Sequence, residues 1–374
     1  MLEKRLLRYA KGYILRMRVI QIFGAARKDR SLKRICVLQN WGLGDLVMTV
    51  PVLSEIRRVC PACEVTLIVG GAVQVSLLSG SPLVDNIVIL SQYAGRRYLT
   101  RFFLSLRAAR FDVAFIGTRL KPLYAILLRI LSGVPVIIGD GQQARWCYTY
   151  HSDIDAKVHR VDRMLQTLAL WTGRHDGQTS YALPISRKGQ LKAADRLATA
   201  GLSSGPYIAI HPGSAGGSLM KDKRLPTSLS LEIARTVVRE EGIRVAVIFG
   251  PEDQDMIGDF APPPDGVTVL SDMSLDETKA ILARAYGFIG SDSSLGHIAA
   301  AYNIPTITVV GPTNPRESRP WGRRAIVVTS SEQLPCRPCW FTPLQGNCPN
   351  GQRCMTEISV EAIMLKVKSW KHFV

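Results

Sequence analysis

The sequence predicts an α/β protein made of two doubly wound halves. Strand-like and helix-like runs alternate in two blocks, and a polar stretch separates the blocks. The strands are short continuous apolar runs without period-two alternation, as expected for parallel sheets covered on both faces. A chain of 374 residues, 47% of them apolar, is also long enough for two ordinary cores.

In the first block, RICVLQ (34–39), EVTLIV (64–69), NIVIL (86–90), DVAFIG (112–117) and VPVIIG (134–139) read as strands. Helical stretches run from the first strand to about residue 59, over 97–110, after 117 and over 156–172. Residues 173–205 are polar and rich in Gly, Ser and Pro, with one helix near 187–200. The second block has strands at 207–213, 243–250, 267–270, 287–292 and 305–311. Its helices start near Pro226 and cover 274–285 and 294–302. The expected organisation is an extension over 1–33, a first domain over 34–180 and a linker over 181–205. A second domain over 206–356 and a C-terminal helix over 357–374 complete it. In such sheets ligands bind beyond the carboxyl ends of strands, so functional residues are sought in strand-end loops facing one cleft.

The net charge of +17 points to an anionic partner. Residues 1–34 hold eleven Lys or Arg against Glu3 and Asp29, a net +9. Leu6, Ala10, Tyr13, Met17 and Ile20 recur on one helical face, with Lys4, Arg8, Lys11 and Arg18 on another. That is a basic amphipathic helix, suited to an anionic membrane interface or to packing on the protein body. No signal-peptide pattern and no run of about 18 apolar residues is present, so the expected location is cytoplasmic, peripheral on the inner membrane face. A nucleic-acid binder is disfavoured. The charge concentrates in one segment, and the few aromatics are not interleaved with it.

Stored disulfides are not expected in a cytosolic chain. Cys336, Cys339, Cys348 and Cys354 follow C-x2-C-x8-C-x5-C, which reads either as a structural zinc site or as reduced, partly buried thiols.

Three strand-end loops carry candidate chemistry. In QNWGLGDLVMTVP, Gly42 and Gly44 allow close backbone approach, but Val47 stands where a dinucleotide fingerprint needs its third glycine. Asp45 there is either a helix-capping carboxylate or a general base. Pro51 is either an early helical residue behind a Thr49 cap or a kink. In HPGSAGGSLMKDKRLP, Ser214 and four small neighbours precede Lys221, Lys223 and Arg224. The loop reads as a phosphate cradle or as a mobile surface loop. In GSDSSLGH, Asp292 or Ser293 can cap the following helix, whose free N–H groups favour phosphate, and His297 lies in its first turn.

Together GLGDLVMTVPVLSEIRR, IAIHPGSAGGSLMKDKRLP, IGSDSSLGHIAAAYNIPTITVVGPTNP and CRPCW…C…CMTEIS resemble the heptosyltransferase family of inverting glycosyltransferases, family 9. The resemblance covers most of residues 34–360. It implies a GT-B fold of two Rossmann-like domains, with an acceptor on the first and an ADP-sugar on the second. It implies Asp45 as base, Lys223 on the donor phosphates, and Asp292, Ser293 and His297 at the diphosphate. Ser294 stands where the family usually has Gly, and Leu225 where it has Trp. The expected reaction moves a heptose or related sugar to an anionic lipid-linked acceptor of the lipopolysaccharide-core type. No cofactor is required, and residues 1–30 rest on the membrane. The competing expectation is another nucleotide-sugar enzyme, an epimerase or a transferase with a different donor.

Overall fold

The computed structural model describes residues 34–373 apart from 92–93, 119, 141–144, 153–154, 156, 174–182 and 215–217. The basic segment read as an amphipathic helix, residues 1–33, lies outside the described residues. The chain divides into two compact units, Met1–Tyr181 and Ala182–Val374.

The first unit is built on a parallel six-stranded sheet. Its strands are β1 (Arg34–Gln39), β2 (Glu64–Val69), β3 (Asn86–Ile89), β4 (Val113–Ile116), β5 (Val136–Gly139) and β6 (Tyr150–His151). They lie in the order β3-β2-β1-β4-β5-β6. Ile35 pairs with Val65 on one side and Val113 on the other, so β1 is central and all but its first residue is buried. The second unit repeats this order. Its strands are β7 (Tyr207–His211), β8 (Arg244–Ile248), β9 (Val267–Leu270), β10 (Gly287–Ser291), β11 (Thr306–Val309) and β12 (Ala325–Val328), ordered β12-β11-β10-β7-β8-β9. Strand order reverses between β1 and β4 and again between β7 and β10. Those two switch points are where loops diverge and leave room for a ligand.

The Leu43–Val59 helix follows β1 and packs on the Arg160–Thr172 helix. It buries Leu46, Val47, Val50, Leu53 and Ile56. Each such side chain contributes roughly 1.5–3 kcal/mol relative to exposure. In the second unit the Thr227–Glu241 helix packs against Val360–Ser369. Gly173 and Gly242 end the Arg160–Thr172 and Thr227–Glu241 helices at φ 71° and 64°, a conformation that costs glycine little. Among the described residues no helix is long and apolar enough to cross a membrane.

Several local expectations change. The helix after β1 starts at Leu43 behind Gly42, so Thr49 does not cap it. Instead the Thr49 hydroxyl donates to the Asp45 carbonyl at 2.9 Å, and Pro51 sits inside the helix. Cys60 and Cys63 form a disulfide at the end of that helix, against the expectation that no disulfide is stored. The 97–110 helix is Arg96–Ser105 followed by a 3-10 turn, Leu106–Ala109, ended by Arg110 at φ 49°. The Arg187–Thr199 helix, in the stretch read as a linker, packs on Leu275–Arg284 within the second unit. Strands β6 and β12 were not among the strands read from the sequence.

Candidate active site

In the first unit, β1 runs out at Gln39 and the chain turns through Asn40, Trp41 and Gly42 into the helix bearing Asp45. Asn40 is buried and donates its side-chain amide to the Leu90 carbonyl (3.1 Å) and the Tyr124 hydroxyl (3.2 Å). The turn is thereby fixed to the ends of β3 and of the Pro122–Ile130 helix. Gly42 is the residue before the helix, and a Cβ there would press on Asp45 Oδ2 at 3.1 Å. Gly44, half-buried, is the second helical residue. Asp45 is therefore not the cap itself but the third residue of the helix, where the macrodipole favours a carboxylate.

Asp45 is 9% exposed, and its Oδ1 takes a bond from Arg160 Nη1 at 3.0 Å. No hydrogen bond from the described residues reaches Oδ2. Arg160, 2% exposed, opens the Arg160–Thr172 helix. One turn on, Arg163 pairs with Asp140 at 3.1 Å. Burial raises the Asp140 carboxyl and outweighs the pull of Arg163 and Arg160. Two carboxylates and two guanidinium groups thus share one buried polar neighbourhood at the strand ends. The sequence reading missed both arginines, because HRVDR at a helix start looks like an ordinary solvated turn. Their spacing of three residues, on the face that carries Val161, Met164 and Leu168 inward, was the available signal.

In the second unit the loop after β7 and the loop after β10 come together. Ser214 donates its N–H to Asp253 Oδ1 at 3.0 Å and its hydroxyl to the Met220 carbonyl at 2.7 Å. Asp253 also receives Arg224 Nη2 at 3.3 Å and the Gly250 N–H at 3.2 Å. A Cβ on Gly213 would collide with the Asp253 carboxylate, so only glycine lets the loop lie this close. Nδ1–H of buried His211 donates to the Ile248 carbonyl at 2.9 Å. Burial lowers its pKa, against Asp253 and the Ile248 carbonyl and with help from Arg224. The loop then closes in a 3-10 turn, Ser218–Lys223, and its helix starts at Thr227 behind Pro226. Leu225 is buried in the second core.

Lys223 Nζ lies 3.5 Å from Asp292 Oδ2 and 5.0 Å from the centre of the Trp340 ring. Thr313 donates its hydroxyl to the same Asp292 oxygen at 2.7 Å. Burial would raise the Asp292 carboxyl, but Lys223, the Thr313 hydroxyl and His297 prevail and hold it below the ordinary carboxylate range. Asp292 is thus committed to Lys223 and Thr313 rather than to capping. Ser293 is the residue before the Ser294–Ala301 helix, at φ −133° and ψ 171°, but its side chain makes no capping bond. Its hydroxyl is buried and has no partner among the described residues. The expected cap is therefore absent, and the first amides of this helix are not occupied by either candidate. Ser294 is half-buried at the first helical position, and His297 is buried one turn on. Thr313 and Trp340 were quoted in the sequence motifs but assigned no role, and Asp253 was not singled out.

The described residues give no support to the zinc reading of Cys336, Cys339, Cys348 and Cys354. Among the described residues no group of three or more His, Cys, Asp or Glu is placed to hold a metal ion. Cys354 is buried in the second core. The Cys336 and Cys348 sulfurs accept bonds from Asn350 Nδ2 (3.3 Å) and the Gln352 N–H (3.2 Å). Burial raises the Cys354 thiol to about 11, and it raises Cys339 as well, which keeps both protonated near neutrality.

Two doubly wound units with charged groups gathered at their strand ends have the architecture of a two-unit α/β glycosyltransferase. A crystal structure of a family 9 glycosyl transferase from Veillonella parvula superposes with a TM-score of 0.75 at 19% identity, covering 91% of this chain and 98% of that one. The E. coli heptosyltransferase WaaC, solved with ADP, gives 0.67 at 20% identity, covering 90% and 99%. Among curated proteins, lipopolysaccharide heptosyltransferase 1 of Pseudomonas aeruginosa is 25% identical over 321 residues, 82% of this chain and 86% of its own length. The model of glycosyltransferase family 9 (heptosyltransferase) matches residues 99–343. The chain belongs to glycosyltransferase family 9, the heptosyltransferases.

Proposed function

We propose that this enzyme transfers a heptose from an ADP-sugar to a hydroxyl of a lipopolysaccharide-core-type acceptor, inverting the anomeric centre. The reading rests on family membership and on one observation above all. Beside the Lys223–Asp292–Thr313 cluster, a helix opens without a side-chain cap, under a buried Ser293 hydroxyl that has no partner among the described residues. Uncapped amides, a hydroxyl and a cation form a suitable receptor for a diphosphate. The solved relative with ADP supports the choice of nucleotide.

In this scheme the sugar–phosphate bond breaks with oxocarbenium character, and negative charge grows on the departing diphosphate. Lys223 and the Ser294–Ala301 helix N-terminus meet that charge, with Ser293 and His297 completing the cradle and Ser214, bonded to Asp253 and Met220, shaping the loop beside it. These groups supply the positive potential from the protein itself, so the scheme assigns no metal to the transfer step. Asp292 holds Lys223 in place. Asp45 takes the proton of the acceptor hydroxyl as that oxygen attacks from the face opposite the diphosphate. Its Oδ1 is held by Arg160, while Oδ2, which no described residue bonds, takes the proton. Ser294, where the family pattern has Gly, is the position assigned to any difference in donor. Residues 1–30 are assigned to the inner face of the cytoplasmic membrane, where an anionic lipid-linked acceptor lies.

The test is a donor screen followed by product analysis. ADP-heptose should raise the thermal unfolding midpoint more than UDP- or GDP-sugars do. With a lipid-linked core acceptor it should give one product of the mass of acceptor plus heptose, with inverted linkage. Stabilisation by UDP- or GDP-sugars in place of ADP-heptose would overturn the donor assignment.

A further inference from the structure

The Arg96–Ser105 helix and the Leu106–Ala109 turn after it show two faces of opposite character. Between Asp85 and Asp112 the sequence has no acidic residue but five arginines. The inner face, Leu99, Phe102, Phe103 and Leu106, packs into the first unit's core. The outer face exposes Arg96, Arg97, Arg101 and Arg107, and among the described residues none of these guanidinium groups is ion-paired. Between them stand Tyr98 and Leu104, 51% and 47% exposed. Arg97, Arg101 and Leu104 fall at spacings of four and three, so cations and an aliphatic side chain share one helical stripe.

This element also adjoins the entry of the basic segment. Arg34 Nη1 donates to the Ala109 carbonyl at 2.9 Å, so residues 1–33, with most of the N-terminal excess charge, join the described fold beside the end of this helix.

We propose that the outer face of Arg96–Ala109 is a contact surface for anionic lipid, separate from residues 1–30. Charge complementarity selects the partner. Unpaired arginines attract lipid phosphate, and Tyr98 and Leu104 between them enter the boundary between headgroup and acyl chain. A nucleic acid would satisfy the arginines but would have no use for an aliphatic Leu104. The surface sits on a folded helix, so the first unit meets the bilayer in a defined orientation rather than hanging from a tether.

The test uses the full chain and vesicles of phosphatidylcholine, alone or mixed with phosphatidylglycerol. On the mixed vesicles, backbone amides of residues 99–107 should exchange more slowly than in solution, with no change on phosphatidylcholine alone. Each cation at an anionic surface is worth roughly fivefold in affinity, so combining Arg96→Gln, Arg97→Gln, Arg101→Gln and Arg107→Gln should weaken cosedimentation at least about tenfold. Leu104→Ser with Tyr98→Ser should lower the binding that survives high salt. Unchanged exchange over 99–107 on mixed vesicles would overturn the proposal, whatever the variants do. So would a quadruple variant that loses binding to duplex DNA while keeping its vesicle affinity. Donor specificity plays no part in either readout, so a failure here leaves the assigned reaction standing.

Discussion

Asp45 and Asp292 invite comparison, because each follows a central strand of its own sheet and each is buried at a helix start. Their surroundings differ. Asp45 is held through one oxygen by the Arg160 guanidinium, and no hydrogen bond from the described residues reaches the other. Asp292 has one oxygen shared between Lys223 and Thr313, and it lies two residues before its helix rather than inside it. On both, no hydrogen bond from the described residues reaches the second oxygen, so the difference lies in what holds the first: a guanidinium on Asp45, a lysine and a hydroxyl on Asp292. A carboxylate that is to hold a cation needs a fixed contact with it. The same residue type, after different central strands of two sheets with the same strand order, thereby stands in two different settings.

The sharpest way to break this comparison is Asp45→Asn. It should lower transfer by about 10²–10⁴-fold while leaving stabilisation by ADP intact, because only the proton acceptor is removed. A variant that still transfers at the parental rate would remove Asp45 from the base role. Arg160→Ala should leave Asp45 buried and unpaired, at a cost of about 3–5 kcal/mol in denaturant unfolding. Little change would mean that the Asp45 carboxylate is not held by this pair. Lys223→Ala should cost about 10²–10³-fold in kcat and weaken ADP binding, measured by single-turnover kinetics and thermal shift. Equal losses from Asp292→Ala would support the view that Asp292 acts by holding Lys223.

The smallest effect concerns pH. The Asp292 carboxyl is lowered in the folded protein from an ordinary value of 3.8. Its contribution to stability is therefore complete above that value and is lost as pH falls through the folded pKa. Asp292→Asn should flatten the acid limb of the stability curve below about pH 4 and leave the neutral limb parallel to the parent. An unchanged acid limb would mean that Lys223 and Thr313 do not favour the ionised form.

Much of the architecture was legible because the strands are continuous apolar runs and the motifs sit in the loops after them. RICVLQ and EVTLIV became β1 and β2 over the residues read from the sequence. Strand β6 is two residues long and offered no pattern, whereas AIVV of β12, a short apolar run like NIVI of β3, went unread. At the site, the loops were found but the partners were not. Arg160 reaches Asp45 across a sequence separation of 115. Such a contact is a product of sheet order, which residue spacing does not encode. The cap at Ser293 failed as an expectation because Asp292 turns to Thr313 and Lys223, a choice visible only once β11 lies beside β10.

Each unit is contiguous in the chain, and the two meet at a single boundary between Tyr181 and Ala182. Each has its own sheet, so a genetic exchange at that boundary would move one set of strand-end loops without severing any strand pairing. Acceptor choice and donor choice, if they divide as proposed, can then be inherited separately. Hybrid genes joined at residue 181 between members of this family should yield folded proteins whose sugar preference follows the downstream parent. A sugar preference that followed the upstream parent would show that the boundary of structure is not the boundary of specificity.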